Sequence, residues 1–162
     1  MKKNKIVIIH HSGLLGGAGL SLYFTWIELL KHYDVSCYVP NDPPELKDFL
    51  KQKGLSPKSF HYRLGKVTFY SGGNSVFNLK FWYHSLRIFF HKGYWDRILK
   101  SEKPNLVIVN SIVLCWFGLF SRNYKIMCFV RETLKGRRNS FPNRVIAHFL
   151  EKFSLVTFLS DY

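Results

Sequence analysis

The sequence predicts an α/β fold with a doubly wound parallel sheet, in a single domain of 162 residues. Five apolar, strand-like runs recur along the chain, at residues 6–9, 35–39, 106–109, 126–130 and 155–159. Helical patterns fill most of the intervals between these runs, as expected for parallel strands joined by helices on both faces of a sheet. The first run also leads directly into a glycine cluster that opens a helix, which is typical of such folds.

The predicted helices follow in order. The first, at 18–32, places Leu22, Trp26 and Leu29 on one stripe. The second begins at 42–45, since proline is tolerated in a first helical turn, and it ends at Gly54. A long helix covers 78–101, and shorter helices cover 113–121 and 142–153.

Two segments have no regular helical or strand pattern along their whole length. Within 55–76, residues 60–62 and 67–70 are expected to form a short strand or hairpin, and 71–74 a loop. Residues 131–140 form a basic loop after the fourth run. The chain then ends just after its last apolar run, without a closing helix, so a fragment of a longer protein is expected.

The chain carries 24 Lys and Arg against 10 Asp and Glu, a formal charge of +14. This excess implies an anionic partner such as nucleic acid, a phospholipid surface or a phosphorylated substrate. The cysteines at 37, 115 and 128 are widely spaced in apolar runs, which indicates neither a zinc site nor a disulfide framework and favours a reducing, cytoplasmic location. No export signal is recognisable, and the apolar stretch 106–120 is shorter than the ~20 residues that span a bilayer.

The glycine cluster, with Gly16, Gly17 and Gly19 before the first helix, is the first candidate ligand site. Glycine permits close approach of a ligand, and a helix N-terminus favours phosphate or hydroxyl groups. Leu22 stands where the third glycine of a dinucleotide fingerprint belongs, and no P-loop Lys-Ser/Thr pair follows. A dehydrogenase or an ATPase is therefore disfavoured. The alternative is a turn that merely packs a helix onto the sheet.

Polar residues follow each apolar run, and in open parallel sheets ligands bind beyond the carboxyl ends of the strands. Donors and cations dominate this set, which suits a polyhydroxylated or phosphorylated ligand better than metal hydrolysis. No metal site is expected. His10 and His11 titrate near neutrality and invite a catalytic interpretation, against ordinary hydrogen-bonded histidines at a strand end. The set comprises His10, His11, Gly16, Gly17, Asn41, Asp42, Asn110, Ser111, Arg131, Glu132 and Ser160.

Two further groups are candidates for phosphate or membrane contact. In the loop after the fourth run, Lys135, Arg137 and Arg138 would clamp a phosphate or form a solvated basic surface. In the long helix, surplus aromatic and basic residues such as Trp82 and Arg87 are typical of a membrane interface, although a core-facing stripe explains most of that helix.

Taken together, the chain resembles the N-terminal half of a GT-B glycosyltransferase, most closely the retaining enzymes of glycosyltransferase family four. The resemblance spans essentially all residues and rests on the order and spacing of four motifs. Arg131 stands where the family often has the histidine of a His-Glu pair. The motifs are KIVII with GGAG (5–9 and 16–19), KPNLVIVNS (103–111), FVRE (129–132) and VTFLS (156–160).

The resemblance implies a Rossmann-like domain that binds the acceptor, while a C-terminal domain, absent here with its Glu-x7-Glu signature, binds the nucleotide-sugar. This domain alone would bind no cofactor and be inactive or nearly so. Gly16 and Gly17 would approach the donor phosphates or the acceptor, and Asn110, Arg131 and Glu132 would line the acceptor side. Bacterial relatives often extend lipid-linked saccharides for surface polysaccharides, so peripheral attachment to the inner face of the plasma membrane is expected.

Two other functions stay open from the residues. A stand-alone basic Rossmann-like module would bind nucleic acid or another anionic ligand, with strong salt dependence. A nicotinamide-dependent oxidoreductase would have to bind its cofactor despite the broken fingerprint.

Overall fold

The computed structural model describes residues 3–60, 79–131 and 141–158, and within it six strands form one parallel sheet. The strand order is β3-β2-β1-β4-β5-β6, and every neighbouring pair is parallel. The chain therefore winds outwards from the central pair β1 and β4 in both directions. The strands are β1 (Lys5–Ile9), β2 (Asp34–Pro40), β3 (Lys58–Phe60), β4 (Leu106–Val109), β5 (Ile126–Val130) and β6 (Leu155–Phe158).

The α/β, doubly wound architecture predicted from the sequence is confirmed, together with all five apolar runs. The short strand expected at 60–62 lies slightly earlier, at β3, and it pairs with β2 in parallel rather than as part of a hairpin. Phe60 supplies its one buried side chain, which explains why a three-residue strand carries so weak a sequence signal. The expectations for 67–70 and 71–74 lie outside the described residues.

Within the described residues, four α-helices and one 3₁₀ helix lie between the strands. Each predicted helix is present, with ends that shift by one to three residues. The short helix predicted at 113–121 is a 3₁₀ helix in the structure, and all but one of its residues are buried. The helices are α1 (Gly17–Leu30), α2 (Glu45–Gln52), α3 (Leu79–Glu102), the 3₁₀ helix (Ile112–Phe120) and α4 (Phe141–Leu150).

Alternate residues of the central strands supply two separate cores, one on each face of the sheet. Ile6 and Ile8 pack with residues of α1 and α2, including Leu22 and Leu46. Val7 and Ile9 belong to the other core, which takes in residues of α3, the 3₁₀ helix and α4. Helices on both faces explain why these strands are almost continuously apolar.

Glu102, at the end of α3, ties three strands together on that second face. Its carboxylate accepts hydrogen bonds from the Tyr38 hydroxyl at 2.6 Å, from the Ser36 hydroxyl at 3.1 Å and from the Lys58 ammonium. Lys5 Nζ lies 3.4 Å away, and the Glu102 side chain is only 10 % exposed. Burial alone would raise the pKa of Glu102, but the hydrogen bonds from Lys58 and Tyr38 outweigh it and lower the pKa to about 2.

We expect Glu102→Gln to lower the free energy of unfolding by about 1.5–3 kcal/mol at neutral pH, because charge-assisted hydrogen bonds are lost. A carboxylate whose pKa is depressed by folding stabilises the fold above its unfolded pKa and loses that effect as the pH falls towards its folded pKa. The difference between wild type and variant should therefore shrink from pH 4.5 downwards and vanish near pH 2. Urea unfolding across this pH range measures it.

Asp34→Asn is the matched control, because Asp34 also pairs with Lys5, at 3.0 Å, but its side chain is 59 % exposed. An exposed pair of this kind contributes less than ~1 kcal/mol. A loss in the control as large as that in Glu102→Gln would contradict the role given to burial.

Candidate functional site

Asn110 is the centre of a polar cluster at the carboxyl ends of β1, β4 and β5. Its amide nitrogen lies 3.0 Å from His10 Nδ1, at the end of β1, and 3.3 Å from the Ala18 carbonyl oxygen in the first turn of α1. Its amide oxygen accepts a hydrogen bond of 2.8 Å from Arg131 Nε, just after β5. Arg131 Nη1 in turn donates to the Ser21 hydroxyl of α1. One amide thus links three strand ends to the first helix.

The partners of Asn110 fix which way its amide points. A guanidinium Nε–H only donates, so the amide oxygen must face Arg131. A backbone carbonyl only accepts, so the amide nitrogen must face Ala18 and, with it, His10. His10 Nδ1 is therefore an acceptor, and the ring proton resides on Nε2.

His10 is consequently held as a neutral imidazole. Burial lowers its pKa most, and the nearby His11 and Arg131 charges lower it further, to about 3, against a smaller raising effect from the Asn110 backbone. Its Nε2 is buried and has no hydrogen-bond partner within the described part of the chain. His10 is thus unsuited to hold a proton at neutral pH through Nδ1, but its Nε2–H is a donor to which a ligand oxygen would be complementary.

His11 lies beside it, with the two ring centroids 4.9 Å apart. The structure therefore brings together His10, Asn110 and Arg131, three residues that the sequence predicted as ligand-binding, and places His11 beside His10. All three of the clustered side chains belong to strand ends that are distant in the sequence.

Arg131 also forms one wall of a cavity of about 250 Å³ beyond the ends of β5 and β6. Its guanidinium carbon lies 5.2 Å from the centroid of the Phe129 ring, within cation–π range. The other lining residues mix hydroxyl groups with apolar surface, and they are Ser21, Phe129, Val130, Thr157 and Phe158. Complete small-molecule pockets usually measure ~300–1,000 Å³, so this cavity has room for one part of a ligand.

In the glycine loop between β1 and α1, two glycines are closely packed and two face open space. A Cβ at Gly13 would lie 1.9 Å from the Pro43 carbonyl oxygen, and one at Gly19 would lie 3.0 Å from Leu46, so these two glycines allow the loop and α1 to pack against the start of α2. A Cβ at Gly16 or Gly17 would meet nothing within 4 Å. These two glycines are exposed and leave the N-terminus of α1 open to a ligand.

The remaining predicted residues divide into three groups. Ser111 is fully buried, and its hydroxyl accepts a hydrogen bond from the Val113 N–H at the start of the 3₁₀ helix, so it has a capping role that the sequence did not reveal. Asn41 and Asp42 follow β2: the Asn41 amide oxygen accepts a hydrogen bond from Lys47 Nζ, and Asp42 is exposed. Ligand contact by these three residues stays a prediction. For the third group, either the whole residue or its side chain lies outside what the structure describes: Glu132, Lys135, Arg137, Arg138, Ser160, Trp82 and Arg87.

Sequence reasoning missed Ser21, Phe129, Thr157 and Phe158. Thr157 and Phe158 lie inside the predicted strand 155–159, so a search for polar residues that follow each run passed over them, although β6 ends at Phe158. Ser21 carried no signal, because only the observed turn of α1 places its hydroxyl beside Arg131.

Among solved structures, the chain is similar to that of Arabidopsis thaliana UGT89C1 complexed with UDP, a glycosyltransferase of GT-B fold, with a TM-score of 0.58 and 17 % sequence identity. The match covers 100 % of this chain and 46 % of the other. No family model and no curated protein matches the chain. The comparison therefore supports a Rossmann-like, GT-B-like fold, and membership of glycosyltransferase family four stays a prediction.

We expect His10 to remain neutral, with its proton on Nε2, from about pH 8 to pH 5, a range in which an ordinary histidine titrates. Asn110→Asp should invert this state, because a carboxylate accepts from Nδ1–H and favours the imidazolium, raising the pKa by at least ~1 unit. Long-range ¹H–¹⁵N NMR of the ring reports both the tautomer and the charge. Asn41→Asp, at the end of β2, is the control and should leave His10 unchanged. Titration of wild-type His10 near pH 6.5 would refute the assignment.

We also expect Gly13→Ala and Gly16→Ala to differ sharply in stability. The Gly13 variant must move the Pro43 backbone, which costs about 2–3 kcal/mol and lowers the Tm by about 5–10 °C. The Gly16 variant meets open space with φ at −123°, a conformation that alanine adopts freely. Thermal unfolding, monitored by circular dichroism, compares the two variants. Equal decreases in Tm would show that the loop does not pack against Pro43 at Gly13.

Proposed function

We propose that this chain is the acceptor-binding N-terminal domain of a glycosyltransferase, which transfers a sugar from a nucleotide-sugar to a saccharide or lipid-linked glycan acceptor. The observation that carries the proposal is the His10–Asn110–Arg131 cluster beside the 250 Å³ cavity, at the carboxyl edge of a GT-B-like sheet. This edge is where open parallel sheets bind ligands.

The chemistry of the cavity suits one sugar unit. The Ser21 and Thr157 hydroxyls and the Arg131 guanidinium offer polar partners for sugar hydroxyls, while Phe129 and Phe158 offer apolar surface for a ring face. His10 Nε2–H supplies a further donor near the cluster. Neutral donors and one cation favour recognition of hydroxyl or phosphate oxygens over proton abstraction.

The open glycines offer a second candidate binding element at the same edge. Gly16 and Gly17 leave the N-terminus of α1 uncovered, which suits a phosphate of the donor. We infer that the nucleotide of the donor is bound mainly by a second domain, since the structural relative is more than twice as long as this chain. The sequence resemblance adds the expectation that the acceptor belongs to a bacterial surface polysaccharide.

We expect the 162-residue chain to bind neutral saccharides weakly and without any nucleotide present. Saturation-transfer NMR against a panel of methyl glycosides and short oligosaccharides detects binding at millimolar affinity, about −4 kcal/mol. Arg131→Met should weaken binding at least ~10-fold, because it removes a guanidinium from the cavity wall together with its charge-assisted hydrogen bonds.

Arg122→Met is the matched control, because Arg122 is exposed between the 3₁₀ helix and β5, at the opposite edge of the sheet. Both variants lose one cation, so a general charge effect would weaken saccharide binding equally in the two. Thermal unfolding must show that Arg131→Met remains folded. Binding of NADH, with no saccharide bound, would overturn the proposal in favour of an oxidoreductase.

A further inference from the structure

The two hydroxyl groups of the cavity beside Arg131 have opposite hydrogen-bond roles. The Ser21 hydroxyl accepts from Arg131 Nη1, so its own proton points elsewhere and can donate to a ligand. The Thr157 hydroxyl donates to the Cys128 carbonyl at 3.3 Å, so its oxygen offers a ligand only lone pairs. Within the described part of the chain, neither hydroxyl has another hydrogen-bond partner. The cavity thus presents a donor at Ser21 and an acceptor at Thr157.

Arg131 adds a positive charge to the donor side of the cavity. Its guanidinium is oriented by the Asn110 amide oxygen, 2.8 Å from Nε, by the Ser21 hydroxyl, and by the Phe129 ring, whose centroid lies 5.2 Å from the guanidinium carbon. All three of these groups are uncharged. The charge acts on its surroundings, because it contributes to the lowered pKa of the buried His10 ring. A ligand oxygen that accepts from Ser21 would therefore lie in a positive potential.

None of the described residues that line the cavity is acidic. The described acids at the carboxyl edge are Asp42, Glu45 and Asp48, which follow β2 and begin α2. The strand order places β2 three positions away from β5, roughly 14 Å at a strand spacing of ~4.8 Å. An arginine beside a hydroxyl donor suits a charged oxygen group, with which it forms the stronger, charge-assisted hydrogen bonds. The Ser21 side of the cavity is therefore complementary to an anionic group.

We propose that the sugar unit bound in this cavity is acidic and carries a carboxylate that lies against Arg131 and Ser21. The inference rests on the proposed binding of a saccharide acceptor and names the chemical class of that saccharide. A ring hydroxyl of the same sugar donates to Thr157, and the apolar face of the ring packs on Phe129 or Phe158. Arg131 and Ser21 then discriminate an acidic sugar from a neutral one, because a carboxylate forms stronger hydrogen bonds to them than a neutral hydroxyl does.

Competition between two matched glycosides tests the proposal. Methyl glucuronide carries a carboxylate where methyl glucoside carries a hydroxymethyl group, and saturation-transfer NMR of an equimolar mixture measures which of them occupies the 162-residue chain. We call the ratio of the two affinities the acid preference. We expect an acid preference of about tenfold, because hydrogen bonds to charged groups are roughly twice as strong as neutral ones. It should fall when added salt shortens the Debye length from ~10 Å to ~3 Å.

Variants of the cavity separate the two ends of the ligand. Arg131→Met should abolish the acid preference, and Ser21→Ala should lower it at least ~3-fold, because each removes a donor to the carboxylate. Thr157→Val is the matched control within the cavity, since it removes an acceptor that both glycosides use. It should weaken the binding of both and leave the acid preference unchanged. Arg122→Met removes an exposed cation at the opposite edge and should also retain the preference.

Thermal unfolding checks that each variant folds, and Ser21→Ala together with the salt series decides the outcome if Arg131→Met does not fold. Equal binding of the two glycosides by the wild-type chain would overturn the inference but leave the proposed acceptor site intact. Binding of neither glycoside would overturn the proposed function itself. An acid preference that survives in both Arg131→Met and Ser21→Ala would overturn the inference. So would displacement of the glucuronide by an equal concentration of acetate, because the site would then recognise an anion without its sugar.

Discussion

The parallel direction of the six described strands determines where polar chemistry lies in this chain. In a parallel sheet each strand delivers its carboxyl end to one edge and its start to the other, and each returning helix does the reverse. Buried runs such as Ile6–Ile9 and Leu106–Val109 force this arrangement, because their side chains need apolar cover on both faces. The residues that follow the strands are then gathered at one edge, whatever their separation in the sequence.

Asn110 connects the residues at this edge into one hydrogen-bonded site. It lies 100 residues from His10 and 21 from Arg131 in the sequence, yet its one amide contacts both. The donor-only guanidinium and the acceptor-only carbonyl of Ala18 leave the amide a single orientation, and that orientation fixes the tautomer of His10. The electrostatic state of the site thus follows from hydrogen-bond roles. The guanidinium and His11 reinforce it, because nearby positive charge disfavours the imidazolium.

The sheet, its helices and the location of the candidate site were predictable from the sequence, because apolar periodicity reports burial directly. His10, Asn110 and Arg131 were found by position alone, as polar residues that follow apolar runs. The pattern gave no sign of the Asn110 hydrogen bonds, of Ser21 as a partner of Arg131 or of Ser111 as a cap, because these contacts depend on register and helix rotation. Likewise, composition gave the net charge of +14 but not its distribution over the fold.

The electrostatic state of the candidate site is set by its own neighbours. Burial lowers the pKa of His10 most, and His11 and Arg131 add to that effect, so the ring stays neutral at physiological pH. A ligand at the carboxyl edge would therefore meet a neutral donor at His10 Nε2 beside one guanidinium. Such a pair complements hydroxyl or phosphate oxygens, and the open glycines lie at the same edge of the sheet.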